Sequence, residues 1–202
     1  PEIRPPMSDM QTPPANPDNS RFAALCWLSG AVTFVLAGFE LGIVLQGQEH
    51  ADVSSRQVAM MFAECSLVML GVNAMLFFTA LLERATASKL MGAGLVLAMV
   101  GLAVLAGHRS EAWVYWGISL TSAGTGLVLP VIAYLAAGTS PQRLGTTMGG
   151  LAAAAGLGQT LGSAIGGWLF GAAGQWAFGW LILPLIAVVL VLLARPGWPR
   201  AN

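Results

Sequence analysis

Charge is what this chain has least of. Nine basic and nine acidic residues are spread over 202 positions, and they cancel. A soluble domain is about a quarter charged, so a 9% share excludes an ordinary water-facing surface for most of the length. No run of lysine and arginine interleaved with aromatics occurs, which excludes a nucleic-acid-binding face. Histidine is scarcer still: His50 and His108 fall in short polar breaks, without a ligand set at metal-site spacing, and both read as solvated. The two cysteines, Cys26 and Cys65, lie in separate apolar runs and read as small buried thiols, not a disulfide. Neither a metal nor a cofactor is expected.

What fills the chain instead is apolar. Hydrophobic residues make up 56% of it, and the mean hydropathy is +0.72. A bilayer core about 30 Å thick takes roughly 20 residues of helix to cross. Six segments qualify, at 22–45, 57–82, 89–106, 112–138, 143–170 and 176–194. The breaks between them are short enough to join neighbouring antiparallel helices, and the ten-residue alternation of a membrane barrel is missing. The expected fold is all-α, a six-helix transmembrane bundle spanning 21–195 and followed by a short tail at 196–202. Residues 1–20 hold six prolines and no apolar core, so they read as a disordered tail or linker and not as a signal peptide. A proline at position 1 fits a piece of a longer protein, with Met7 and Met10 as alternative starts.

Basic residues set the expected orientation. With six crossings, Arg4, Arg21, Arg84, Lys89, Arg143, Arg195 and Arg200 fall on the side of the termini, against Arg56 and Arg109 opposite. Both termini are therefore expected in the cytoplasm, the protein being multi-pass in a cell membrane, a bacterial inner membrane in particular. Trp113, Tyr115, Trp116, Trp168 and Trp176 gather at the outer boundary, with Trp27 and Trp198 near the inner one, as interfacial aromatics do.

The fifth segment contains "GLAAAAGLGQTLGSAIGGWL", in which Gly150, Ala154, Gly158, Gly162 and Gly166 recur every four residues. Helices in lipid associate through close packing, and a stripe of small residues permits it. A generic packing face is the plainer explanation. The wider pattern is Gly149, eight residues, Gly158, three residues, Gly162, Ser163, two more, then Gly166 and Gly167. It resembles the antiporter signature of the major facilitator superfamily, G-x8-G-x3-G-P-x2-G-G, with Ser163 in place of the proline. The loop "LLERATASKL" is similar to a worn form of that family's G-x3-D-R-x-G-R-K loop, with Glu83 and Arg84 at the Asp-Arg positions and Lys89 as the later base. The stretch from Gly124 to Gly150, with Pro130, Pro141, Arg143 and Gly145, resembles the family's tenth helix and the loop after it. The likeness covers nearly everything beyond residue 20.

The resemblance implies a secondary transporter that works by alternating access between two six-helix halves. The degenerate loop, a fourth span without arginine and the proline-rich lead-in together resemble the C-terminal half, helices seven to twelve, of drug or metabolite exporters. Its implied partners are the lipid bilayer, a small-molecule substrate and a second six-helix half, either upstream in the same chain, a separate partner or a second copy. A non-transporting subunit or a truncated remnant is the alternative. An intramembrane enzyme would need convergent catalytic groups, and these are not evident.

Ionisable groups inside a membrane are costly and mark function by default. Glu40 and Glu64 lie in the first two spans at similar depth, where antiparallel helices could bring them to one cavity. Two nearby carboxyls would suit proton coupling. Water access near the interface, or a bond to a neighbouring helix, is the competing explanation for each. Asn73 and Gln159 could line a cavity or bond between helices. Ser119, Thr121, Ser122, Thr125 and Thr160 are expected to bond their own i−4 carbonyls. Pro130 and Pro184 should kink their helices.

Overall fold

The computed structural model describes residues 17–49, 54–79, 85–139 and 143–194. Among them all regular structure is helical, in seven helices numbered here in chain order. These are α1 (Pro17–Glu49), α2 (Ser55–Phe78), α3 (Ala87–Ala106), α4 (Glu111–Thr139), α5 (Leu144–Ala173), α6 (Ala177–Trp180) and α7 (Ile182–Ala194). The termini before residue 17 and after 194, with Arg4, Arg195, Trp198 and Arg200, lie outside the described residues, as do His50, Glu83, Arg84 and Pro141.

Local chemistry accounts for several boundaries. Helix α2 starts on a capping box: the Gln57 backbone N–H donates to Ser54 Oγ at 3.3 Å, and the Ser54 N–H donates back to Gln57 Oε1 at 2.7 Å. Helix α5 ends at Gly174, whose φ of 53° lies in the left-handed region that glycine enters without a Cβ clash. A single 3-10 turn, Gly174–Trp176, follows, and the chain reverses. Helix α6 stops at Trp180 because Pro184 has no N–H to give the Trp180 carbonyl, so α7 restarts at Ile182. Pro130 acts differently, since α4 continues through it as helix to Thr139.

Helix α1 packs most extensively on α5, and α3 on α4. Four contacts fix the first pair in direction. Gly158 lies against Gly30, Gly162 against Phe34, Gly166 against Gly38, and the Phe170 ring against Gly42. Each step of four on one helix matches four on the other in the same sense, so α1 and α5 run parallel. The opposite holds for α3 and α4, where Gly94 meets Val128, Gly101 meets Thr121 and Leu105 meets Gly117. After the reversal at Gly174 the chain returns along α1: Phe178 stacks edge-on against Phe170 at 4.7 Å, and Leu181 reaches Gly38.

The end of α1, the α3–α4 turn and the reversal after α5 therefore gather at one end of the bundle, and polar side chains tie them. The Nδ1 of His108 lies 2.6 Å from the Leu105 carbonyl, which can only accept, so that nitrogen carries the proton. Its Nε2 is then the acceptor for the Gln46 amide at 2.7 Å. Gln175 Nε2 donates to the Ala106 carbonyl at 3.2 Å. His108 is thus a half-buried clamp between the end of α1 and the α3–α4 turn, not the solvated loop histidine the sequence suggests. His108→Ala should cost about 1 kcal/mol, the usual net worth of such a bond, read as a lower unfolding temperature in detergent.

Five stretches are long and apolar enough to cross a membrane by length and composition. The last of them, Leu144–Ala194, contains the reversal at Gly174. The expected sixth span is there in sequence but is divided at Leu181 into α6 and α7, so neither piece alone reaches spanning length. Burial is uneven. Of the most apolar stretch, 50% is buried in α1 and in α4, but 17% in α2. Helix α2 presents Leu67, Leu70, Met75, Phe77 and Phe78 outward, and α5 presents Leu157, Leu161, Ile165 and Trp168. Such faces are tolerable against lipid or another helical surface and not against water.

Candidate functional site

Glu40 and Glu64 are the ionisable residues that lie deep within the described helices. Glu40 stands nine residues before the end of α1 and Glu64 nine after the start of α2. At 1.5 Å per residue each is about 13–14 Å in from the same end of the bundle. Both carboxyls lie within electrostatic range of the Cys65 thiol. The cysteines themselves are free, Cys65 buried and Cys26 half-buried.

Their surroundings differ. Glu40 is half-buried and makes no hydrogen bond or ion pair among the described residues. Glu64 leans on α4, where the Ser119 hydroxyl donates to its Oε1. Its other oxygen, Oε2, is buried and has no partner. Leaving one carboxyl oxygen buried and unpaired costs about 1–3 kcal/mol, and more if the group is charged. One residue along, the Ser122 hydroxyl meets Cys65 Sγ at 3.0 Å. Adjacent residues of α2 are therefore held by two hydroxyls on one face of α4.

These two serines are what sequence reasoning missed. Thr121, Thr125 and Thr160 do bond their own helix, to the carbonyls of Gly117, Thr121 and Gly156 at 2.8–2.9 Å. Ser119 and Ser122 reach across to α2 instead. The available signal was their spacing of three, which puts both on one helix face, but nothing in the sequence names the opposing helix.

Asn73 on α2 and Gln159 on α5 are exposed, without a hydrogen bond among the described residues. Both sit on the two outward apolar faces. A primary amide facing hydrocarbon unpaired is costly. Lys89 is exposed in the first turn of α3. Glu83 and Arg84, the other residues of the loop likeness, lie outside the described residues.

The signature glycines divide. A Cβ built on Gly158 would fall 2.1 Å from the Gly30 carbonyl oxygen, and one on Gly162 2.1 Å from that of Phe34. At Gly166 it would fall 2.8 Å from the Gly38 Cα. Gly167 faces the Leu41 side chain at 3.2 Å, whereas Gly149 points into open space. The Thr33 hydroxyl adds a polar link, lying 3.0 Å from the Ala155 carbonyl and 2.8 Å from that of Ser29, so that one proton is shared between helices. Ser163, standing where the family pattern has proline, keeps its backbone N–H, and α5 runs unbroken through it. Gly149→Ala should leave stability and expression unchanged, a control that thermal unfolding in detergent would check.

A separate shallow cavity of about 270 Å³ opens at the α3–α4 turn, lined by Ala103, Val104, Gly107, Arg109 and Trp113. Neither glutamate reaches it. Among the described residues no group of three or more histidine, cysteine or acidic side chains is placed to hold a metal.

Apolar helices, packed backbone to backbone through glycine and carrying carboxyls at depth, define a multi-pass helical membrane protein. The family model of the Major Facilitator Superfamily matches residues 22–200, and the chain belongs to that family. Its members are transporters, so a transport role in general follows. No curated protein matches the chain.

Proposed function

We propose that this chain supplies one six-helix half of a secondary active transporter that exports a small molecule in exchange for protons. The observation that carries the reading is the pair of deep carboxyls, Glu40 and Glu64, at one depth on α1 and α2 and both within electrostatic range of Cys65. A carboxyl that can take up a proton on one side of the membrane and lose it on the other couples transport to the gradient. Glu40 has no hydrogen-bond partner among the described residues, which leaves its carboxyl free to exchange a proton. In this reading α6 and α7 together make the sixth crossing, both termini are cytoplasmic, and the membrane is a cell membrane, bacterial by expectation.

A second half is part of the proposal. The outward faces of α2 and α5 carry Asn73 and Gln159 uncovered, and a facing half would give those amides partners or a wet cavity to line. The degenerate loop and the fourth span without arginine favour the C-terminal half. Alternating access then rocks the two halves about a midplane site, with the α1–α5 contact as a candidate sliding surface.

Glu40→Gln tests the coupling. In everted vesicles carrying the assembled transporter, efflux of a panel of small lipophilic compounds should lose its dependence on the pH gradient, with membrane expression intact. Gradient-driven efflux at the normal rate in that variant would sink the role of Glu40. The mass of the detergent-solubilised particle tests the second half: a particle with two halves supports it. A stable monomer of this chain alone would leave the non-transporting subunit as the better reading.

A further inference from the structure

We infer that Ser119 is a positioning residue for Glu64: its hydroxyl holds Oε1 and so assigns the transported proton to Oε2. This rests on the proposed role of the deep carboxyls in coupling. A carboxyl group is symmetric about its terminal torsion, and a free glutamate exchanges its two oxygens by rotation. The Ser119 hydroxyl removes that symmetry by donating to one of them. The other, Oε2, is buried and meets no donor or acceptor. When a proton is taken up, Oε2 becomes the hydroxyl oxygen and Oε1 the carbonyl that accepts from Ser119. When it is released, the same bond persists to a carboxylate oxygen. Ser119 thus stays in place through both states and does not itself exchange the proton.

The bond is supported by its neighbour. Ser122, three residues on, donates across the same interface to Cys65, so both pairs share one register between the parallel helices α2 and α4. The threonines on the intervening and following positions bond their own helix, which makes the outward reach of these two serines specific to this face. Around Glu64 are Cys65 beside it on α2 and Ser119 and Ser122 from α4, while Glu40 on α1 lies within electrostatic range of Cys65. The nearest basic residue on α2 is Arg56, two turns away at the exposed start of the helix. No cation at this depth competes with Ser119 for Oε1 among the described residues.

Infrared difference spectra between acid and neutral pH, recorded on the full chain in lipid nanodiscs, test the assignment. The protonated carboxyl C=O band of Glu64 is identified by its loss in Glu64→Gln. Ser119→Ala should move that band to the higher frequency of a carbonyl with no donor, and Ser119→Thr should restore it. Ser119→Cys, a weak donor, should give an intermediate position and serves if the alanine variant does not fold. Ser122→Ala should leave the band in place. A band unmoved in Ser119→Ala or Ser119→Cys overturns the positioning role, as does the lack of any band that Glu64→Gln removes. If the band moves while Glu64→Gln still transports with the pH gradient, the Ser119 bond stands and the coupling role of Glu64 falls.

Discussion

Gly162→Leu should prevent this protein from accumulating in a folded form. The Cβ alone would sit 2.1 Å from the Phe34 carbonyl oxygen and 2.8 Å from the Phe34 Cα, and both are backbone atoms that no side-chain rotation can move aside. Relief requires α1 and α5 to separate along their length, because the contact is one of a parallel series that also includes Gly158 on Gly30 and Gly166 on Gly38. Separation would also break the Thr33 link to the Ala155 carbonyl. Overpacking a core costs about 1–3 kcal/mol where the neighbours can yield; here they cannot, and the most extensive helix pair in the bundle is lost. The expected result is a loss of monodisperse protein on detergent extraction, with Gly149→Leu behaving as wild type because nothing lies within 4 Å of that position. Wild-type yield and unfolding temperature for Gly162→Leu would refute close packing as what holds the pair.

That contrast marks where the sequence was legible. The four-residue recurrence from Gly150 to Gly166 exposes a stripe on any helix, because four residues are close to one turn. Which helix the stripe would meet was not encoded locally, and α1 carries Gly30, Gly38 and Gly42 as a fainter counterpart. Gly149 belonged to the wider pattern by spacing, yet it lies on the far side of α5 from α1. The membrane class followed from composition and run length alone, since both are one-dimensional properties. The division of the last span at Leu181 followed from Pro184, although the sequence alone did not separate a kink from a restart. Pro130, by contrast, left its helix continuous.

Side-chain bonds between distant segments were the least legible. Gln46, His108 and Gln175 come from three distant segments, and only the path of the helices brings those segments to one end. Ser119 and Ser122 have an intrahelical acceptor available, as their threonine neighbours show, so local chemistry favours the wrong answer for them. The similar depth of Glu40 and Glu64 was a matter of counting and could be read in advance. That α4 would supply a donor to Glu64 and none to Glu40 depends on packing, and it makes two carboxyls of equal depth chemically unequal.

The second large effect is expected at a contact whose spacing is seven, not four. Gly94 and Gly101 on α3 face Gly117 and Gly124 on the antiparallel α4, each pair one heptad apart. Seven residues are close to two turns, so such glycines share a face as surely as those four apart, though the eye does not join them. Gly124→Leu would place its Cβ 2.5 Å from the Ala98 nitrogen and 2.5 Å from the Gly94 carbonyl oxygen. Even Gly101→Ala would bring a methyl to 2.5 Å from the Thr121 nitrogen and 2.8 Å from the Gly117 carbonyl oxygen. The alanine change should lower the unfolding temperature in detergent, at a cost of about 1–3 kcal/mol for strain that spreads along both helices. The leucine change should abolish folding. Helix α4 is also the one that holds Glu64, through Ser119, so a displacement of α4 reaches the carboxyl site. Gly101→Ala should therefore disturb the infrared band of Glu64 in protein that still folds, whereas a packing defect confined to the α1–α5 contact should not. Equal stability of Gly101→Ala and wild type would show that α3 and α4 tolerate a wider separation than their glycines indicate.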